Sequence, residues 1–169
     1  MKPTVYRLKE IIEYDPISGV FTWKFRRDVR GGWNSKCAGK RAGRIDSSGH
    51  RQIAIDGHRY QASNLAWLYM KGVWPLLLVD HRNTIKDDDR FENLREATYY
   101  QNSYNRGAQV DNKSGYKGVY QHKDNGVWVA SITVEKVQKY LGCFATAEEA
   151  SCAYEAAAIR FHGEFARID

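Results

Sequence analysis

The chain of 169 residues holds only three cysteines, Cys37, Cys143 and Cys152, and no two stand in a Cys-x-x-Cys spacing. That scarcity excludes a disulfide framework and a zinc knuckle, which need several closely spaced thiols, and it suits a reducing cytosol. No apolar run approaches the roughly 18 residues that a membrane span requires, and the first residues lack the apolar stretch of a signal peptide. The expectation is a soluble, cytoplasmic protein with no membrane partner. Internal repeats and low-complexity tracts are also missing. With 43% hydrophobic residues, the chain can build one ordinary domain or two small ones with modest cores.

What the sequence does have is unevenly placed positive charge. The formal net charge is +6, and residues 1–57 carry 12 Lys/Arg against 6 Asp/Glu, whereas 58–112 and 113–169 each balance at 7 and 7. The whole excess therefore sits in the first third. A basic segment attracts polyanions, and nucleic acid is the commonest that also suits a chain with 11 Tyr and 5 Trp. The plainer reading is a solvated basic surface that aids solubility.

Hydrophobic periodicity divides the chain further. Val5, Leu8, Ile11 and Ile12 share one face of a short helix over Val5–Glu13, which the Asp15-Pro16 step and Gly19 bring to an end. Val20–Phe25, His50–Ile55 and His58–Ala62 alternate as strands, the last two around a turn at Asp56-Gly57. Arg26–Arg44 is a basic, Gly-rich connection too polar for a core. Ser63–Gly72 returns to helical spacing, "LLLVDH" is a short strand, and Asp88 to about Tyr104 reads as a helix burying Phe91, Leu94 and Thr98. After a polar linker come three alternating segments, Tyr116–His122, Val127–Val134 and Gln138–Phe144. An Ala-rich helix follows, opened by Thr146 with Glu149 three residues on.

The stretch "VDHRNTIKDDDRFENLREAT", Val79–Thr98, is the candidate for chemistry. Hydrolysing a phosphodiester takes an activated water, a group to accept its proton, and positive charge on the developing oxyanion. Asp80 and Asn93 offer two hard oxygen ligands for Mg²⁺ or another divalent cation, and His81 offers a base. The competing reading is structural: an Asp-His pair at a strand end, and aspartates 87, 88 and 89 capping a helix.

Several separated blocks, "EYDPISGVFTWKFR", "GHRQIAIDGHRYQA", "LAWLYMKGVWP", "VDH" and "RFENLREATYYQN", resemble the HNH endonucleases of phage and mobile elements. The resemblance implies a hairpin and helix gripping one divalent ion (the ββα-metal arrangement), with His81 as general base and Asp80 and Asn93 as metal ligands. It also implies an endonuclease acting in the cytoplasm of a bacterial host. Two positions depart from the pattern. Asp89 replaces the usual Asn that braces the loop carrying the base, and Ser63-Asn64 stand where His-Arg usually precede Leu-Ala-Trp. Asp89 keeps an acceptor but loses the amide donor. On a helix it would share a face with Asn93, close to the cation or to His81.

In "GYKGVYQHKDNGVWVASITV" the alternation places Lys117, Tyr120, His122, Ser131 and Thr133 on polar positions and Val119, Trp128, Ala130 and Ile132 on a buried face, with a bend at Gly118. Together with "YLGCFATAEEASCAYEAAAIRFHGEFA" this stretch resembles the Apetala-two/ethylene-response-factor DNA-binding domain over nearly all of 114–169. The resemblance places Lys117, Tyr120, His122, Ser131, Thr133, Gln138 and Tyr140 at DNA-contact positions. Of these only Lys117 carries a fixed charge. The basic segment, with Lys24, Arg26, Arg27, Arg30, Lys36, Lys40, Arg41 and Arg44, is the expected source of further phosphate contacts, and Arg95 is another.

The combined expectation is an α+β protein. It has a ββα-metal nuclease domain over residues 1–105, a linker over 106–114, and a three-stranded antiparallel sheet packed on one helix over 115–169. Its partner is double-stranded DNA, located by the C-terminal domain and cut at a divalent-metal centre. The alternative is a DNA-binding protein or regulator whose nuclease centre has decayed through Ser63 and Asp89.

Overall fold

The computed structural model describes residues 2–108, 111–123 and 126–168 and has a mixed α/β architecture with four small antiparallel sheets. It divides into two compact units, Met1–Ala97 and Thr98–Asp169.

In the first unit, α1 (Val5–Ile11) starts at Thr4, whose hydroxyl accepts the Arg7 N–H at 3.2 Å, a side-chain N-cap. The helix is shorter than its periodicity predicts. Ile12 and Glu13 belong instead to β1 (Ile12–Asp15), drawn into an extended pairing with β2 (Val20–Trp23) that sets Tyr14 opposite Phe21. The basic segment carries one short helix, α2 (Trp33–Cys37), and closes on β3 (Arg44–Ile45). β3 pairs with β4 (Arg51–Ile55), and β4 with β5 (His58–Gln61), around Asp56 and Gly57 with positive φ of 48° and 83°.

α3 (Ala62–Lys71) ends where Gly72 takes φ 77°. Leu65 and Leu68 on α3 meet Leu8, Ile11, Phe21 and Ile53 in the core. β6 (Leu78–His81) and β7 (Leu94–Ala97) then form a hairpin on which the candidate chemistry sits.

The helix expected over residues 88–104 does not exist. Its place is taken by a 3₁₀ turn (Phe91–Asn93), strand β7, and a short helix α4 (Tyr99–Tyr104). Phe91, Leu94 and Thr98 imitate helical spacing, but pairing of Leu94–Ala97 with β6 satisfies the backbone and buries Leu94 and Ala97 inside a sheet. Thr98 is exposed and caps α4, accepting from Gln101 while Gln101 answers at the Thr98 N–H, a capping box. α4 belongs to the second unit, so the division falls after Ala97 rather than near Asn105.

The second unit contains β8 (Val119–Gln121), β9 (Trp128–Val134) and β10 (Val137–Phe144) in the order β10-β9-β8, covered on one face by α5 (Ala147–His162). Thr146 caps α5 by accepting the Glu149 N–H at 3.2 Å. Val119, Ala130 and Ile132 are buried against Ala150, Tyr154 and Ala158, matching the predicted inner face. The predicted bend is at Gly118, with φ 70°. A Cβ there would lie 2.2 Å from the Tyr154 ring, so both the backbone and the packing demand glycine.

Candidate functional site

β6 and β7 pair so that Asp80 lies opposite Arg95 and His81 opposite Leu94, which brings residues 80, 81 and 93 to one end of the hairpin. All three side chains are buried. The loop between the strands is braced by Asn93. Its amide oxygen accepts the Asn83 N–H at 3.0 Å, and its amide nitrogen donates to Asn83 Oδ1 at 2.9 Å and to the Asp88 carbonyl at 2.8 Å.

The three consecutive aspartates have three different partners. Asp87 takes Nε and Nη2 of buried Arg51 at 2.7 and 3.0 Å, and Arg41 at 3.4 Å. Asp88 is gripped by Arg90, and the Asn83 amide donates to it at 2.6 Å. Chiefly through Arg90, its pKa is held down at about 2. Asp89 faces inward at 2% exposure, with Oδ1 3.1 Å from His81 Nε2 and Oδ2 buried with no hydrogen-bond partner among the described residues. These aspartates are not a helix cap. Because residues 89–93 are not α-helical, Asp89 reaches His81 through the loop rather than from a face shared with Asn93.

The β1–β2 hairpin holds Asp89 in place. Tyr14 donates its hydroxyl to the Asp89 carbonyl at 2.7 Å, and burial raises the Tyr14 pKa, so the phenol stays protonated. Gly19 has φ 72°, and a Cβ there would meet Asp89 and Arg90 backbone atoms at 2.5 and 2.4 Å. A carboxylate facing Nε2 accepts its proton, which leaves the lone pair of His81 on Nδ1.

Arg95, expected to contact a phosphate, is only 6% exposed, with Nε and Nη2 each 2.9 Å from Asp80 Oδ2. It orients the Asp80 carboxylate and does not face solvent. Asp80 and Asn93 supply hard oxygens, and Asp89 Oδ2 adds a buried oxygen that no N–H or O–H of the described residues satisfies. This donor set fits a hard cation held by few protein ligands and several waters. Among the described residues no three His, Cys, Asp or Glu cluster as a complete metal cage. Ser63 is buried in the first turn of α3, within the core rather than toward a ligand.

The basic segment is partly spent on internal pairing. Arg26 is half-buried, with both guanidinium arms on Asp28 at 3.0 and 2.7 Å, and it stacks over Trp33; Lys24 donates to the Lys9 carbonyl. Arg41 shares Asp87 with Arg51. Arg27, Arg30 and Lys40 are exposed, as are Lys36 and Arg44.

In the second unit, the register sets Ser131 opposite Tyr140 and Thr133 opposite Gln138, so these four side chains share the face away from α5, with Tyr120 beside them on β8. Tyr120 and Tyr140 are 49% and 66% exposed, and Thr133, Gln138 and His122 are also exposed. Lys117 is half-buried and donates to the Tyr104 carbonyl at 2.5 Å.

A cleft of about 1220 Å³ lies between this face and α4, with Tyr100, Tyr104, Lys117, Tyr120 and Ser131 among its walls. Tyr104 anchors α4. Its ring stacks on His162 at 3.7 Å, and its hydroxyl accepts the Glu135 N–H at 2.9 Å. Nothing in the spacing of residues 99–104 announces this role, since the contacts come from residues far along the chain.

Residues 60–104 match the HNH endonuclease family model. The AP2-like ethylene-responsive transcription factor AIL7 of Arabidopsis thaliana is 45% identical over 62 residues, which is 36% of this chain and 11% of that protein. The AP2-like ethylene-responsive transcription factor PLT2 of the same plant is 30% identical over 144 residues, 78% of this chain and 24% of that protein. The chain thus spans a quarter or less of the length of these relatives. The HNH homing endonuclease I-HmuI, solved in a study of DNA binding and cleavage, aligns with a TM-score of 0.44 at 16% identity, covering 100% of this chain and 93% of that one.

Proposed function

We propose that this protein is a divalent-metal-dependent DNA endonuclease that binds double-stranded DNA through its C-terminal sheet and cuts a phosphodiester at the β6–β7 hairpin. The observation that carries the reading is His81 Nε2 at 3.1 Å from the buried Asp89 carboxylate, on the hairpin that also holds Asp80 and Asn93, inside the segment matching the HNH endonuclease family. His81 accepts a proton from the attacking water at Nδ1, while Asp89 keeps the ring in the required tautomer. Asp80, oriented by Arg95, and Asn93 would hold the cation. Mg²⁺ or a similar ion held there would supply positive charge against the negative charge that develops on the phosphate and the leaving oxygen.

Tyr120, Ser131, Thr133, Gln138 and Tyr140 would read or grip the duplex from the sheet face away from α5, with Lys117 and His122 flanking β8. Arg27, Arg30 and Lys40 would add phosphate contacts, and Arg26 and Arg41 act mainly by shaping the segment that carries them. The match of 62 residues of the chain to a plant AP2-like transcription factor supports this division of labour.

The test compares the unmodified protein and His81→Ala on duplex DNA, with Mg²⁺ and with chelator. Cutting should require the metal and fall by about 10²–10⁴-fold in the variant at unchanged DNA affinity. If both forms bind DNA equally and neither nicks it, the protein is a DNA-binding regulator with a decayed centre and the cleavage reading is wrong.

A further inference from the structure

A second histidine stands beside the candidate base. The His50 ring, immediately before β4, lies 5.9 Å from the His81 ring, centroid to centroid, at an angle of 48°. It is held by its own short relay. The Ser48 hydroxyl donates to Asp46 Oδ1 at 2.6 Å and stands 2.8 Å from His50 Nδ1. A hydroxyl has one proton, and here the carboxylate takes it. The Nδ1 of His50 must then be the donor, and the lone pair of its ring lies on Nε2.

Asp46 is itself fixed, accepting the backbone N–H of Ser48 at 2.8 Å and of His50 at 3.1 Å, while Lys86 donates to the Ser48 carbonyl at 2.8 Å. His81 carries the opposite tautomer, with its proton on Nε2 toward Asp89. The His50 ring therefore offers a lone pair on Nε2 beside the ring of His81. Burial lowers the His50 pKa, and His81 and Lys86 lower it further against the opposing charges of Asp46 and Asp89, all of which favours the neutral ring.

We propose that His50 is a second functional imidazole of the cleavage site, its Nε2 accepting a hydrogen bond from the same water that His81 deprotonates. The inference rests on the nuclease reading above. One proton of the water passes to His81 and the other stays on oxygen, hydrogen-bonded to His50. The water oxygen forms the new bond to phosphorus, the bond to the leaving oxygen breaks, and that oxygen takes a proton from solvent. His50 gains no proton; it aims the nucleophile. A purely structural role, in which Asp46 and Ser48 only shape the turn into β4, would leave the ring itself dispensable.

The experiment uses the full chain. Single-turnover cleavage and DNA affinity are measured for the unmodified protein, His50→Ala and His50→Gln, with Mg²⁺, and histidine ¹⁵N spectra of the unmodified protein report the ring tautomers. His50→Ala should lower the cleavage rate by about ten- to a hundredfold at unchanged DNA affinity, the size of effect expected from a misplaced reactant. His50→Gln, which keeps an acceptor, should recover part of it, and His50 should carry its proton on Nδ1. If His50→Ala folds and cuts at the unmodified rate, or if the spectra place the His50 proton on Nε2, the proposal fails while the nuclease reading stands. If the unmodified protein cuts no DNA, both fail together. Should His50→Ala not fold, the His50→Gln rate and the spectra decide.

Discussion

Removing Arg95 should unfold the first unit more readily than any surface change, because it strands a carboxylate. Asp80 and Arg95 are each 6% exposed, and two Arg95 nitrogens lie 2.9 Å from one Asp80 oxygen. With the charge centres about 4 Å apart, an effective dielectric constant near 20 gives an attraction of about 4 kcal/mol. Breaking a buried pair by deleting one partner costs about 3–5 kcal/mol, since the survivor stays desolvated. Arg95→Leu is therefore expected to lose about 3 kcal/mol or more. The double variant Asp80→Asn/Arg95→Leu should regain much of that loss, because no bare charge remains. Urea unfolding followed by tryptophan fluorescence suits the question, since Trp23, Trp33, Trp67 and Trp74 all lie in the first unit. A loss below about 1 kcal/mol in Arg95→Leu, or a double variant no more stable than the single one, would refute the idea that the pair holds Asp80 against a desolvation penalty.

Other consequences follow from the same geometry. Gly19→Ala forces a side chain into positive φ and against the Asp89 and Arg90 backbone. It should cost about 1–3 kcal/mol and also slow cleavage, which a stability assay run beside a nicking assay would show. Asp89→Asn keeps an oxygen for the His81 N–H and should cut within about tenfold of the unmodified rate, whereas Asp89→Leu removes that acceptor and should fall by about 10²-fold or more; equal rates for the two would break the link between Asp89 and His81. In the second unit, burial lowers the His162 pKa and its Nδ1 is buried with no partner among the described residues. The unfolded chain therefore takes up that proton first, and stability is full above the ordinary histidine value of 6.5 and declines as pH falls below it. Hydrogen exchange at the β9 amides should show protection falling from pH 7.5 to pH 5, with the decline reduced in His162→Gln; an unchanged decline would assign it to other groups.

Local patterns in the sequence announce most of the elements. Alternation marks β4, β5, β9 and β10, and Thr146 with Glu149 marks the start of α5. The helix over residues 88–104 fails because side-chain spacing there satisfies two periods at once, and only the backbone partner decides between them. Phe91, Leu94 and Thr98 sit three and four residues apart, yet strand β6 is the neighbour that Leu94–Ala97 pairs with. The same limit applies to charge. Arg26, Arg41 and Arg95 read as available cations, and whether an arginine faces a phosphate or an aspartate depends on which carboxylate the fold delivers.

By itself, the sequence determined that this is an α+β chain with a basic first third, that Asp80, His81 and Asn93 belong to one short polar segment, and that an alternating sheet with an Ala-rich helix closes the chain. These follow from local spacing and composition, which tertiary structure does not change. Only the folded molecule decided what each polar group faces. It sent Asp87 to Arg51, Asp88 to Arg90 and Asp89 to His81, turned Arg95 inward onto Asp80, brought His50 beside His81, and clasped α4 to the second unit through Tyr104. The physical reason is that a polar atom left unpaired on burial costs free energy, so most find a partner, and the partner nearest in space is rarely the one nearest in sequence.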